Sequence, residues 1–203
     1  SAVCSSDLNA AEREFIRSEQ PWGFILFKRN IETPPQVSLL IRELRESIND
    51  PEAPVLIDQE GGRVQRLQPP HWPAYPAGAV FGRLYDIDPA LGLTAARLSA
   101  RLIADDLSKL GISVDCLPLA DVPVAGADAV IGDRAYGNEA AKVATIARAV
   151  TTAPTTRAIT RSTSSPPCRP TPRSGRRPRS APATTRCIAC NRCCRLRPAP
   201  ASD

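Results

Sequence analysis

Ile57-Asp58-Gln59-Glu60-Gly61-Gly62-Arg63-Val64-Gln65-Arg66 is the stretch on which the reading of this chain turns. It continues Pro54-Val55-Leu56-Ile57, a short apolar run that reads as a buried strand ending on the carboxylate of Asp58. Gly61 and Gly62 let the backbone turn sharply, and Arg63 and Arg66 follow at once. Parallel α/β barrels place their polar substrate contacts at the C-terminal ends of strands. A carboxylate beside guanidinium groups at such a place is a candidate ligand site. The bland alternative is a loop carrying a solvated charge cluster.

Outward from this stretch, strands and helices alternate. Asn9 with Glu12 reads as a capping box opening a short helix through Arg17. Trp22-Gly23-Phe24-Ile25-Leu26-Phe27 reads as a first buried strand. Pro34 and Pro35 open a helix whose Val37, Leu40, Ile41, Leu44 and Ile48 share one face, and Asn49-Asp50-Pro51 stops it. Residues 67–88 read as loop. Asp88 and Pro89 then supply an N-cap and a first-turn proline. The helix they open carries a stripe of Leu91, Ala95, Leu98, Leu102 and Leu110, and Gly111 ends it. Ile112 to Leu119 reads as a third strand. A glycine-containing loop leads to Asn138, read as the cap of a last helix with Val143, Ile146, Ala147 and Val150 on one side. Near-continuous apolar strands alternating with helices predict an α/β fold with a parallel sheet.

Composition changes abruptly near residue 150. All nine aromatic residues precede it, whereas residues 151–203 hold 11 of the arginines, 9 prolines and 5 of the 7 cysteines, with Asp203 the sole acidic group. The formal charge of +5 therefore belongs to the tail, and residues 1–150 are net acidic. The tail has no apolar periodicity and too little apolar content to offset the entropy of ordering it, so residues 151–203 are expected to be disordered. Its Arg, Pro, Ser, Thr, Ala and Cys content is that of GC-rich coding read out of frame, and a frameshifted end is expected. Cys187, Cys190, Cys193 and Cys194 have ligand-like spacing for zinc, but no second cysteine pair or histidine lies nearby, so no metal site is assigned. The arginines are expected to attract nucleic acid only weakly, because no aromatic residue interleaves them for stacking. No apolar run approaches the roughly 18 residues of a membrane span. No signal peptide is visible and the first 150 residues contain only Cys4 and Cys116, so a reducing, cytoplasmic setting is expected.

Three segments together, Trp22 to Ile31, Ile57 to Arg66 and Ile131-Gly132-Asp133-Arg134-Ala135-Tyr136-Gly137, resemble the bacterial β-N-acetylhexosaminidases of glycoside hydrolase family 3. The resemblance spans roughly residues 8–150. It implies that residues 1–150 form the incomplete N-terminal part of a (β/α)8 barrel. It also implies removal of terminal β-linked N-acetylglucosamine from cell-wall fragments during cytoplasmic peptidoglycan recycling, by a retaining mechanism without metal or organic cofactor. A monomer is expected. By the same resemblance Asp58 accepts sugar hydroxyls, while Arg66 and Arg134 hold the same sugar. Asp121, at the end of the third strand, is either an orienting neighbour or the cap of a short turn.

Retaining hydrolysis needs a nucleophile and an acid/base group flanking the scissile bond. The family's late aspartate and its Lys-His…Pro-Gly-His-Gly loop are both absent from this sequence. His71, the chain's one histidine, reads as a loop residue, and Asp105 and Asp106 as a solvated helix face. No catalytic residue is assigned, and the chain is expected to be inactive. Three functional classes follow: a sugar-binding hydrolase fragment, a protein whose arginine-rich tail binds zinc or nucleic acid, and the non-functional product of a degraded gene.

Overall fold

The computed structural model describes residues 6–124, 126 and 129–152. The four tail cysteines and residues 153–203 of the tail expected to be disordered lie outside the described residues; at its start that expectation fails, because Thr151 is the last residue of a helix and Thr152 its cap. Ten elements follow in order: helix α1 (Ala10–Glu19), strand β1 (Phe24–Leu26), helix α2 (Pro34–Ser47), strands β2 (Val55–Ile57), β3 (Gln59–Gly61) and β4 (Val64–Gln65), helices α3 (Gly78–Ile87) and α4 (Pro89–Leu110), strand β5 (Val114–Asp115) and helix α5 (Ala140–Thr151).

The expected parallel sheet is present, in the order β1-β2-β5. Ile25 faces Leu56, which faces Val114, and Ile57 faces Asp115. Each neighbouring pair is joined through a helix, α2 between β1 and β2 and α4 between β2 and β5, which is the connection that parallel strands require. Alternation along the strands turns Leu26, Val55 and Ile57 toward the helices, where they are at most 1% exposed among Val37, Leu40, Ile41, Leu44, Ile103, Leu107 and Leu110. A second cluster joins Phe81, Ala96, Ala100, Tyr136, Val143, Ile146 and Val150 where α3, α4 and α5 meet.

Helix starts follow their local chemistry. Asn9 accepts the Glu12 backbone N–H while Glu12 accepts that of Asn9, closing the predicted capping box. Asp88 accepts from the backbone of Ala90 and Leu91 at the start of α4, with Pro89 in the first turn.

Several expectations give way. Residues 78–87 form α3 rather than loop. A helix containing Gly78 and Gly82 is hard to read from propensity, since each glycine costs about 1 kcal/mol against alanine. Of the stripe expected on α4, Leu110 is buried and Ala95 half-buried, but Leu91, Leu98 and Leu102 are 50–58% exposed, and the buried face is completed by Ala96, Ser99, Ala100, Ile103 and Leu107. Close packing against α3 and α5 favours small side chains on that face, so the bulkiest residues do not mark it. Helix α5 starts after Glu139, not Asn138, with no side-chain cap. The first and third strands are shorter than the apolar runs that contain them. Asp106 is not merely solvated, because it accepts a hydrogen bond from the Tyr75 hydroxyl at 2.6 Å; Asp105 is exposed and pairs with Lys109.

Candidate functional site

Beyond Ile57 the chain leaves the sheet at Asp58 and folds back on itself as the antiparallel hairpin β3-β4. Gly61 and Gly62 take φ of 92° and 56°, a left-handed conformation that side chains disfavour. Two buried glutamines knit the hairpin to the loop after it. The Gln59 side chain accepts the backbone N–H groups of Arg66 and Leu67, both at 2.9 Å, and donates to the Leu67 carbonyl. Gln65 donates to the carbonyls of Leu67 and Pro73 and accepts from the Tyr75 N–H. The Gln59 backbone N–H in turn donates to Asp115 on β5 at 3.0 Å. The hairpin is thus fixed above the C-terminal edge of the sheet from both sides.

This framework carries the predicted pair. Arg66 Nη2 donates to Asp58 Oδ2 at 2.6 Å, with both side chains about one-quarter exposed. Arg66 Nε is buried without a hydrogen-bond partner among the described residues, and Nη1 has none either. A buried donor left unmatched costs about 1–3 kcal/mol, a sacrifice of stability common at ligand sites.

Arg134, on the short 3-10 turn Gly132–Arg134, reaches the same hairpin. Its Nε and Nη2 donate to Glu60 Oε2 and Oε1 at 2.8 and 2.7 Å, a two-point pairing with a carboxylate only 7% exposed. That hydrogen bonding is the main influence holding the Arg134 guanidinium above its ordinary pKa, and the charges of Asp121 and Asp58 add to it. Arg63 on the hairpin turn secures the same loop through Asp133 at 3.1 Å and the backbone carbonyls of Val130 and Ile131. The loop can lie this close because α3 presents glycine to it. A side chain on Gly78 would meet the Arg134 carbonyl at 2.1 Å, and one on Gly82 the Tyr136 carbonyl at 1.8 Å.

At the sheet edge Asp115 stands in register with Ile57. Burial, and secondarily the charges of Glu60 and Asp58, push its carboxyl up to about 8 against the opposing pull of the Gln59 and Cys116 N–H groups. Cys116 is pushed up to about 12, first by burial of the thiol and then by the charge of Asp58 and a hydrogen bond to it. Burial likewise raises the Tyr136 hydroxyl.

Asp58 and Arg66 are therefore in direct contact, and Arg134 is anchored on the same hairpin through Glu60. Asp121 is exposed and lies outside every helix and strand, reaching the site only through its charge. His71 is exposed and set edge-on to the buried Trp72. Glu60, Gln59 and Asp115 went unread in the sequence as site residues, and Arg63, read as a guanidinium beside Asp58, instead holds the Asp133 loop. For Glu60 a signal existed, because in extended chain it shares a face with Asp58 two residues earlier. Among the described residues no cluster of three His, Cys, Asp or Glu side chains is placed to hold a metal ion, and no helix is long and apolar enough to cross a membrane.

The family model described as "Glycosyl hydrolase family 3 N terminal domain" matches residues 2–163, running past the composition break near residue 150. The chain is 35% identical over 147 residues to a beta-hexosaminidase of Xanthomonas campestris pv. campestris, covering 72% of this chain and 43% of that protein. Among solved structures it resembles NagZ from Neisseria gonorrhoeae in complex with zinc ion, with a TM-score of 0.69 and 30% identity over 75% of this chain and 45% of that one. The same Neisseria protein in complex with N-trifluoroacetyl-D-glucosamine gives a TM-score of 0.68 at 31% identity, with the same coverage. The chain thus spans less than half the length of these relatives.

Proposed function

Because the chain belongs to the glycosyl hydrolase family 3 N-terminal domain family, we propose that its hairpin face is the sugar-holding wall of a β-N-acetylhexosaminidase (β/α)8 barrel. The ligand is a terminal β-linked N-acetylglucosamine of a cell-wall fragment, met in the cytoplasm during peptidoglycan recycling. The observation that carries this reading is the Asp58–Arg66 pair at 2.6 Å, with Arg66 Nη1 uncommitted beside it. A carboxylate accepts from two neighbouring hydroxyls, and a planar guanidinium donates in a fixed direction, so together they suit an uncharged, hydroxyl-rich ring. Paired charges also leave little net charge at the contact, which disfavours an anionic ligand. A relative solved with a glucosamine derivative supports the same class of ligand.

Turnover is a different demand. The two hairpin carboxylates of the proposed wall, Asp58 and Glu60, are each paired with an arginine. His71 is exposed and meets Trp72 edge-on. The 203-residue chain accordingly holds the sugar without breaking its glycosidic bond. Titration of the full chain with N-acetylglucosamine, followed by calorimetry or ligand-observed NMR, should show saturable binding. Asp58→Ala should weaken it by about tenfold or more, the worth of a hydrogen bond to a charged group. The 4-nitrophenyl β-glycoside of N-acetylglucosamine should release no nitrophenol beyond the buffer rate. Equal affinity in Asp58→Ala refutes the binding role, and release above buffer refutes the inactivity.

A further inference from the structure

We propose that Glu60 is a positioning residue that aims Arg134 at the sugar and keeps it off Asp58, an inference resting on the sugar-binding reading above. Arg134 belongs to a loop that joins no sheet, so its direction is not set by a strand. A guanidinium has five N–H donors. Glu60 engages Nε and Nη2 side-on at 2.8 and 2.7 Å, and this fixes the plane of the group. Nη1 is left with one long contact, 3.4 Å to the Val130 carbonyl. Nη1, together with the second N–H of Nη2, is therefore the part of Arg134 available to a ligand.

Glu60 is itself immobilised. It sits in the middle of β3, buried, between the doubly anchored Gln59 and the turn glycines. The backbone of Arg134 is seated independently against Gly78 of α3. Head and root of the side chain are thus held by different elements.

The electrostatic consequence is specific. Asp58 and Asp121 both attract Arg134. Without Glu60 the guanidinium would turn toward those carboxylates, and Asp58, already accepting from Arg66, would lose its remaining capacity for a hydroxyl. A buried bidentate partner removes that competition. Glu60 then shapes the pocket without touching the sugar.

The test is a double-mutant cycle on the full chain, read by N-acetylglucosamine titration and by the Arg134 Nε–H resonance in 15N NMR, assigned through its loss in Arg134→Ala. Glu60→Gln should weaken binding about tenfold, in line with losing a charge-assisted hydrogen bond. In the Arg134→Ala background the same change should alter affinity less than twofold, because Glu60 would have nothing left to aim. The Nε–H resonance should be slow to exchange in the parent and fast or absent in Glu60→Gln. A general loss of structure would be seen in thermal melts and would weaken binding in either background. Wild-type affinity in Glu60→Gln, or an equal loss in both backgrounds, overturns the proposal while Asp58→Ala still reports on the sugar site. No sugar binding by the parent, with the resonance behaving as stated, refutes the sugar reading and leaves the anchoring of Arg134 standing.

Discussion

Gly82→Ala isolates the packing that brings the Arg134 loop to the hairpin. In an ordinary helix interior this change stabilises by about 1 kcal/mol, because glycine loses more backbone entropy than alanine. Here the new Cβ would stand 1.8 Å from the Tyr136 carbonyl oxygen and 2.8 Å from its carbon. It must gain more than an ångström to reach the 3.0 Å that real Cβ contacts essentially never go below. The obstacle is backbone, so no rotamer change relieves it; either α3 or the loop must retreat. Overpacking of this kind costs about 1–3 kcal/mol, occasionally more, and a backbone clash belongs at the upper end. After the propensity gain, a net loss of about 2 kcal/mol is expected, or about 4–8 °C in Tm for a chain of this size. Urea unfolding followed by tryptophan fluorescence is a suitable assay, since Trp72 is buried and Trp22 is 69% exposed. The midpoint should fall with the slope unchanged. A variant as stable as the parent, or more so, would mean that the loop does not lie on α3 as described.

Two further outcomes bear on the site and the core. Asp115 has a folded-state pKa of about 8, above the roughly 3.9 of an unfolded aspartate, so the folded chain retains a proton that the unfolded chain has lost. Stability from this group therefore falls as pH rises from about 4 to 8, by at most about 1.4 kcal/mol per pH unit, and levels off above that window. Asp115→Asn keeps an acceptor for the Gln59 N–H, so its urea midpoint should fall less than the parent's across that range; parallel profiles would contradict the assignment. On α4, Ile103→Ala should cost about 2–5 kcal/mol as a cavity, whereas Leu98→Ala should stay within about 0.5 kcal/mol. Thermal melts compare the two directly, and the reverse ranking would restore the leucine stripe as the core face.

That pair of residues also shows where sequence reading succeeds and where it fails. The stripe on α2 was legible because one face packs on the sheet and is filled by Val37, Leu40, Ile41 and Leu44. On α4 the large residues are a poor guide, since three helices crowd its buried face and leave space for Ala96, Ser99 and Ala100. Helix α3 was missed for a related reason: Gly78 and Gly82 depress helix propensity yet are required by the carbonyls that lie against them. Asp58 was legible because a carboxylate following a buried β-branched run has few structural uses. Glu60 shares a face with Asp58 in extended chain, but its role could not be read locally, because its partner lies 74 residues away.

Local order thus came directly from the linear chain. Alternation, caps and glycine turns act within a few residues, so the α/β class and the sharp turn at Gly61-Gly62 follow from neighbours along the backbone, and the family from three short segments. Pairings across the fold did not. Whether Arg134 meets Glu60 or Asp58, which side of α4 is inward, and how far Asp115 is desolvated depend on elements converging from distant parts of the chain. Burial strengthens the charge interactions in proportion to that convergence, and spacing along the sequence carries no record of it.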